Sequence, residues 1–212
     1  MKNLVLTIII AAALMFPVPV SAQATYSFEN TTNNSATNAA IGENQLFADV
    51  SDAGGGQVLF TFRNIGPEAS SITDVYFDDG ALLSMVAISN SAGVQFAQDA
   101  TPSNLPGGNS ISPSFITIAG LSADSDAPVQ PNGVNPGESL GIKFNLQSGA
   151  TYNDVLSGLD DGSLRIGIHV QGFADGGSES FVNDGVIPAP GAVLLASFGM
   201  LCVGWFRKRG YF

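Results

Sequence analysis

The chain has 212 residues, 45% of them hydrophobic, with a formal net charge of −11 and one cysteine. All 18 Asp and Glu residues but only three of the seven Lys and Arg residues lie within residues 25–187, which gives this body a formal charge of −15. Such a body repels phosphate backbones and argues against nucleic acid as a partner, and its lack of cysteine excludes a disulfide framework.

The N-terminal segment is typical of a secretory signal peptide. Lys2 precedes an apolar stretch over residues 4–16, prolines follow, and small residues at Ala22 and Ala24 each offer a signal-peptidase site. The apolar stretch is shorter than the about 20 residues that a membrane-spanning helix needs. We expect residues 1–24 to direct export through the Sec translocon, with cleavage by signal peptidase after Ala22 or Ala24.

Residues 25–182 are expected to form a single all-β domain. Apolar and polar residues alternate with a period of two in several stretches, and turn sequences rich in Gly, Pro, Asn and Asp separate them. Many short strands with such turns predict a β-sandwich, jelly-roll-like or immunoglobulin-like in layering. The predicted strands cover residues 26–28, 45–50, 58–63, 72–77, 82–88, 115–118, 140–146 and 165–171.

At most one short helix is expected in this domain. Thr151 and Asp154 have the spacing of a capping box, and the Val155 and Leu159 side chains would face the core. Residues 31–40 are rich in Asn, Thr and Ala and are predicted to form a loop.

The sequence offers little support for catalysis. His169 is the only histidine, and strand alternation places it on the face opposite Ile168 and Val170, either exposed or on a second packed face. No Gly-x-Ser-x-Gly turn accompanies it, so a Ser-His-Asp triad has no pattern behind it. One histidine and no body cysteine also leave zinc without ligands. We expect no enzymatic activity.

Three pairs of carboxylates in acidic turns are the candidate metal ligands. Calcium binds several hard oxygen ligands on flexible loops, so calcium is the one cofactor that the sequence suggests. Neither the twelve-residue calcium loop nor a Gly-rich calcium repeat is present. The alternative interpretation is ordinary turn chemistry and solvated charge. The candidate residues are Asp78, Asp79, Asp124, Asp126, Asp160 and Asp161.

The last 25 residues combine a turn motif, an apolar run and a basic end. At about 1.5 Å per residue the run over residues 192–206 spans roughly 22 Å, and snorkelling basic side chains can make up the deficit against a bilayer core. We expect a linker at 183–191, a transmembrane helix at 192–206 and a basic cytoplasmic tail at 207–212. The turn motif is Pro188, Ala189, Pro190 and Gly191, and the stop-transfer cluster is Arg207, Lys208 and Arg209.

This tripartite tail, together with a cleaved signal, resembles the PEP-CTERM sorting signal of exported proteins of Gram-negative bacteria. The usual triplet of that family is Pro-Glu-Pro, whereas the middle residue here is Ala189. Segments 60–64, 71–77 and 164–170 also resemble PEP-CTERM proteins of unknown function. The resemblance implies a transient hold at the inner membrane, followed by cleavage near the motif by an exosortase-like membrane protease.

These features predict an exported protein of the cell surface or exopolysaccharide matrix, with a structural or adhesive role. The alternative is a carbohydrate-binding module, with or without calcium, whose partner would be extracellular polysaccharide. Sugars stack on aromatic rings, and because Trp205 lies in the tail, Tyr76 and Tyr152 are the candidate platforms. A secreted hydrolase is the third alternative.

Overall fold

The structure is a computed structural model that describes residues 23–79, 81–147 and 149–187. Within these residues the chain forms ten strands and three α-helices, with a 3₁₀ turn at Gly108–Ser110. The strands are β1 (Gln23–Asn30), β2 (Leu46–Gly54), β3 (Gln57–Asn64), β4 (Ser71–Asp78), β5 (Leu83–Asn90), β6 (Phe96–Gln98), β7 (Ser122–Ser125), β8 (Ser139–Leu146), β9 (Arg165–Gln171) and β10 (Glu179–Ile187). The helices are α1 (Ala36–Gln45), α2 (Val129–Asn132) and α3 (Tyr152–Asp161).

The described strands belong to one sheet in which every pairing is antiparallel. The strand order is β5-β8-β3-β2-β1-β10-β9-β4-β7-β6. β1 and β10 are neighbours at the centre, and their pairing runs from Thr25 opposite Ile187 to Asn30 opposite Phe181. The first and last strands of the described chain therefore join the two halves of the sheet, and we call this pairing the seam.

The two halves face each other across an apolar core. The alternation of β3 directs Val58, Phe60 and Phe62 inward, and all three are fully buried. Phe77 of β4 meets Phe60 and Phe62 edge to face, with ring centroids 5.2 and 6.2 Å apart. Phe144 of β8 lies 4.7 Å from Phe77. Each such pair adds about 0.5–1.5 kcal/mol beyond area burial, so the rings hold the halves together.

The sheet curls until its outer strands nearly meet. Asn90 at the end of β5 accepts a hydrogen bond from the Phe96 N–H of β6 at 3.1 Å and donates to the Phe96 carbonyl at 3.4 Å. Bringing the two edges together covers backbone groups that would otherwise template aggregation. The expected all-β class is confirmed, but the layers belong to one nearly closed sheet.

The strong alternating segments form the expected strands, with one exception. Residues 115–118, predicted to be a strand, lie in a long connection without strand pairing. Conversely, β6, β7 and β10 lacked a recognisable pattern in the sequence. β6 and β7 have three and four residues, too short to show a period of two, and Asn, Asp and Gly interrupt the alternation of β10.

Helix α1 corrects the expectation of at most one short helix, because it lies partly where residues 31–40 were predicted to be a loop. Ser35 is its N-cap, and the Ser35 side chain accepts a hydrogen bond from the Asn38 N–H. The helix shows no apolar stripe in the sequence because it approaches the core through Gly42. A Cβ atom at Gly42 would come within 2.1 Å of the Phe181 ring. The formation of α1 therefore depends on tertiary packing and not on a local sequence pattern.

Helix α3 confirms the predicted helix near residues 151–159. Both hydrogen bonds of the capping box between Thr151 and Asp154 are present, and Val155 and Leu159 are buried. Gly162 ends the helix in the left-handed conformation, with a φ of 78°. The sequence signals at both ends of α3 are therefore sufficient to place it.

The chain ends differ from the predicted domain boundary. β10 runs to Ile187, whereas the sequence predicted the domain to end at residue 182 and a linker to follow. The signal segment, the sorting motif, the apolar run at 192–206 and the basic tail lie outside the described residues, so the expectations for them stay predictions. Within the described residues, no helix is long and apolar enough to cross a membrane.

We expect Gly42→Ala to destabilise the protein. The added methyl group would overlap the buried Phe181 ring, and overpacking of this kind costs about 1–3 kcal/mol, more than the roughly 1 kcal/mol that alanine gains in a helix. Chemical denaturation followed by circular dichroism measures the change. Gly185→Ala is the matched control because no atom lies within 4 Å of a Cβ at that position. Equal effects of the two substitutions would contradict this packing account.

Candidate functional site

A row of polar side chains crosses the outer face of the sheet on neighbouring strands. Register pairing places Asp124 of β7 opposite Asp74 of β4, and Asp74 opposite His169 of β9. His169 in turn lies opposite Ser180 of β10. We call these four residues the polar row. Neighbouring positions on one face of a sheet interact directly, so the polar row brings two carboxyl groups, an imidazole and a hydroxyl together.

Asp74 is the most perturbed member of the polar row. A bulge in β4 precedes Asp74, whose side chain is 3% exposed. The Thr73 hydroxyl donates to Asp74 Oδ2 at 2.8 Å, and Asp124 and Tyr76 lie within hydrogen-bonding reach of the carboxyl group. Burial, reinforced by the charge of Asp124, raises the pKa of Asp74 to about 7. The Asp74 carboxyl group is therefore largely protonated below neutral pH.

His169 lies beside a serine, but the arrangement does not expose a nucleophile. His169 Nδ1 is 3.1 Å from Ser180 Oγ. Burial lowers the pKa of His169, and the carboxylate of Glu179 partly offsets this effect. Ser180 has no exposed surface, so no substrate reaches its hydroxyl in this structure. The His169 side chain is partly buried, which lies between the two environments predicted for it.

A long connection without strands covers the outer face next to the polar row. We call residues 99–121 the strap. Its Leu105 and Phe115 side chains pack with Tyr76 of β4 and Val182 of β10 in a second apolar cluster. Gly167 permits this contact, because a Cβ there would lie 2.9 Å from Leu105 and 3.0 Å from Phe115. Residues 115–118 therefore serve as a cover and not as a strand.

Arg165 anchors the strap. Its guanidinium donates to the carbonyl oxygens of Pro113 and Ser114 at 2.7 and 2.6 Å and forms an ion pair with Asp78. The same group lies over the Phe115 ring, 5.3 Å from its centroid. A planar, multivalent donor suits this task because one side chain satisfies several acceptors at once.

Glu179 organises the end of the seam next to α1. It is fully buried and accepts hydrogen bonds from Thr32 Oγ1 at 2.5 Å and Asn30 Nδ2 at 3.1 Å. The backbone N–H groups of Asn34 and Ser35 donate to it at 3.1 and 2.6 Å. Burial alone would raise its pKa, but these donors outweigh burial and lower it. No local sequence pattern indicates this role, because the hydrogen-bond partners of Glu179 lie far away along the chain.

The first predicted calcium pair is engaged by protein donors. Asp78 binds Arg165, and its Oδ2 also accepts the Ile116 N–H at 3.1 Å. Asp79 is 2% exposed, and its Oδ2 accepts the Leu83 N–H at 2.7 Å. Burial raises the pKa of Asp79. Both carboxylates therefore have structural partners in the fold.

In each of the other two predicted calcium pairs, the two aspartates have different surroundings in the fold. Asp124 belongs to the polar row, and Asp126 follows β7. Asp160 accepts the Tyr26 hydroxyl at 3.2 Å, and Asp161 accepts the Ser163 N–H in a turn. Among the residues that the structure describes, no group of three or more His, Cys, Asp or Glu side chains could hold a metal ion. Calcium binding stays a prediction.

Both tyrosines that were candidate platforms for sugar stacking have hydrogen-bond partners within the fold. Tyr76 is fully buried, and its hydroxyl donates to the Pro102 carbonyl at 3.0 Å. Tyr152 is partly buried and donates to the Val50 carbonyl at 2.8 Å. Burial therefore leaves the Tyr76 ring no open face for sugar stacking, and the Tyr152 ring is partly covered. No protein-family model matches the chain, and a comparison with curated proteins finds no relative.

We expect Asp74→Asn to gain stability relative to wild type as pH rises. The carboxyl group is neutral in both the folded and unfolded states only at pH values well below 3.8. It ionises near pH 3.8 in the unfolded chain but near pH 7 in the folded chain, so wild type loses stability across this window. The difference between the two proteins should change by on the order of 4 kcal/mol at most between pH 4 and pH 8.

Chemical denaturation at a series of pH values measures this difference. Asp126→Asn is the matched control, because it removes a nearby exposed carboxylate. Subtracting the two proteins removes the opposing contributions of His169 and Glu179. A stability difference between wild type and Asp74→Asn that is constant from pH 4 to pH 8 would contradict the assignment.

Proposed function

We propose that the chain is an exported protein of the cell surface or extracellular polysaccharide matrix, with a structural or adhesive role. In this proposal the C-terminal segment holds the exported body at the inner membrane until an exosortase-like protease cuts near Pro188–Gly191. The sequence of both ends motivates it, and the observation that supports it best is the seam. Because Thr25 pairs with Ile187, the predicted signal peptide and the predicted sorting motif adjoin the same end of the body.

The seam also suggests where processing leaves the fold intact. Gln23 and Ala24 pair with Ser51 and Val50 of β2, so cleavage after Ala22 keeps the whole of β1. Cleavage after Ala24 would remove two paired residues. On the other side β10 ends at Ile187, so a cut after that residue costs no strand pairing. We therefore propose cleavage after Ala22 by signal peptidase.

The finer fold assignment is part of the proposal. We infer that the curled sheet forms two layers in the manner of a jelly-roll-like or immunoglobulin-like sandwich, supported by the ring contacts across the core. A transmembrane helix at residues 192–206 completes the exported intermediate. The partners are the Sec translocon, signal peptidase, the sorting protease and, at the destination, extracellular polysaccharide.

The structure bears differently on the two alternatives, a secreted hydrolase and a carbohydrate-binding module. A secreted hydrolase that uses a serine nucleophile would need that serine accessible, but Ser180 beside His169 is buried. A carbohydrate-binding module built on tyrosine stacking would need Tyr76 or Tyr152 exposed. Binding of sugar at a polar cavity does not have this requirement and is compatible with an adhesive role.

We expect the released protein to begin at Gln23 and to end between Ile187 and Gly191. Intact-mass analysis of protein recovered outside the cell measures both ends. Substituting Pro188 and Pro190 together by alanine should leave the membrane-held form, whereas Pro136→Ala, in an exposed turn, should be processed like wild type. A released species that keeps Arg207, or one that ends before Ile187, would refute the proposal.

A further inference from the structure

A polar cavity lies between the strap and the seam, and none of the four residues of the polar row lines it. Val182 of β10 and Ile111 of the strap supply its apolar lining, and Glu29, Asn33 and Asn183 supply polar groups. Glu29 and Val182 are register partners across the seam, so their positions are fixed by the centre of the sheet. The volume is about 320 Å³, at the lower end of the roughly 300–1,000 Å³ typical of small-molecule sites.

The polar groups of this cavity include several that the fold leaves available. Glu29 is exposed, and among the described residues its carboxylate accepts no hydrogen bond and forms no ion pair. Asn183 Oδ1 accepts the Ile166 N–H at 2.6 Å, which fixes the amide orientation and leaves Nδ2 as a donor. The cavity therefore offers a strong acceptor and a donor beside one another.

Asn33 adds a third group on a constrained loop. Its φ is 53°, in the left-handed region that asparagine tolerates better than most residues. The Asn33 N–H donates to Asn30 Oδ1 at 2.7 Å, and Asn30 Nδ2 in turn donates to buried Glu179. The loop that carries Asn33 is thus tied to the Glu179 network, and its amide can both donate and accept.

We propose that this cavity binds a neutral, hydroxyl-rich sugar unit of an extracellular polysaccharide. Sugar hydroxyls both donate and accept, so they match the Glu29 carboxylate, the Asn183 donor and the Asn33 amide, while a ring face covers Val182 and Ile111. An adjoining cavity shares Glu29 and is also lined by Glu43 of α1 and Asp184 of β10, which gives room for a second unit of a linear glycan.

Charge restricts the ligand class further. Glu29 lines both cavities, and Asp184 and Glu43 line the second one. A body with a formal charge of −15 repels uronic acids and other anionic sugars. The proposal rests on the extracellular destination proposed above, and it gives the adhesive role a specific contact.

Calorimetric titration of the full-length protein in detergent tests this inference. The probes are neutral glucan, galactan and mannan oligosaccharides, with an oligouronic acid as the acidic comparison. We expect at least one neutral probe to bind and the acidic probe not to bind. Glu29→Ala and Asn33→Gly should each weaken binding by about tenfold or more, because each removes a hydrogen-bonding group. Glycine at position 33 retains the left-handed backbone without strain.

Glu68→Ala is the matched control, because Glu68 is an exposed acid that lines neither cavity, and it should bind like wild type. Absence of binding by every neutral probe to folded protein would overturn the inference. Binding that is unchanged in both cavity variants, or tighter binding of the acidic probe, would also overturn it. None of these outcomes affects the masses of the released protein, so failure of the cavity and failure of the export proposal remain distinguishable.

Discussion

The pairing of β1 with β10 is the constraint on which the rest of the structure depends. It joins the half β5-β8-β3-β2-β1 to the half β10-β9-β4-β7-β6, and it is formed by the two ends of the described chain. Contacts of such large sequence separation carry the chain entropy of closing a long loop, which the seam and the core must offset. The core is therefore complete only when the segment through Ile187 has become available for pairing.

The features of the outer face follow from that pairing. β10 brings Ser180 to His169 and Val182 to the strap cluster, and its buried Glu179 collects the donors that start α1. A shift of β10 by one residue would turn Phe181 away from the core and would separate Glu179 from its hydrogen-bond donors. The second change is costly because a buried polar group without partners destabilises the fold. The register of the seam thus sets the polar row, the strap and the polar cavity together.

Much of the fold follows from local sequence patterns. β3, β8 and β9 alternate apolar and polar residues, and the inward set forms the core as expected. The capping box at Thr151 places α3. Helix α1 was not predictable, because its stability comes from Glu179 and from Gly42 against Phe181, both distant in sequence. The strap was not predictable either, since its apolar residues resemble a strand until the covered face is known.

The candidate sites show the same division. Paired aspartates suggested calcium loops, but whether two loops converge depends on the tertiary fold, and Asp78 instead binds Arg165. The polar row arises from register between four strands, which no local pattern encodes. The cavity at Glu29 and Asn183 arises where the strap crosses the seam. Local sequence patterns therefore predicted most of the strands but not β6, β7 or β10, whereas long-range pairing determined the chemistry on the sheet.

Hydrogen exchange of the full-length protein, read by mass spectrometry, tests the seam most directly. We expect the segment 183–187 to exchange far more slowly than an exposed turn, because Asn183, Val186 and Ile187 pair with β1. The exposed turn at residues 55–56 provides the fast-exchanging reference within the same chain. Exchange of residues 183–187 as fast as this turn would show that they are a linker, and it would contradict the account.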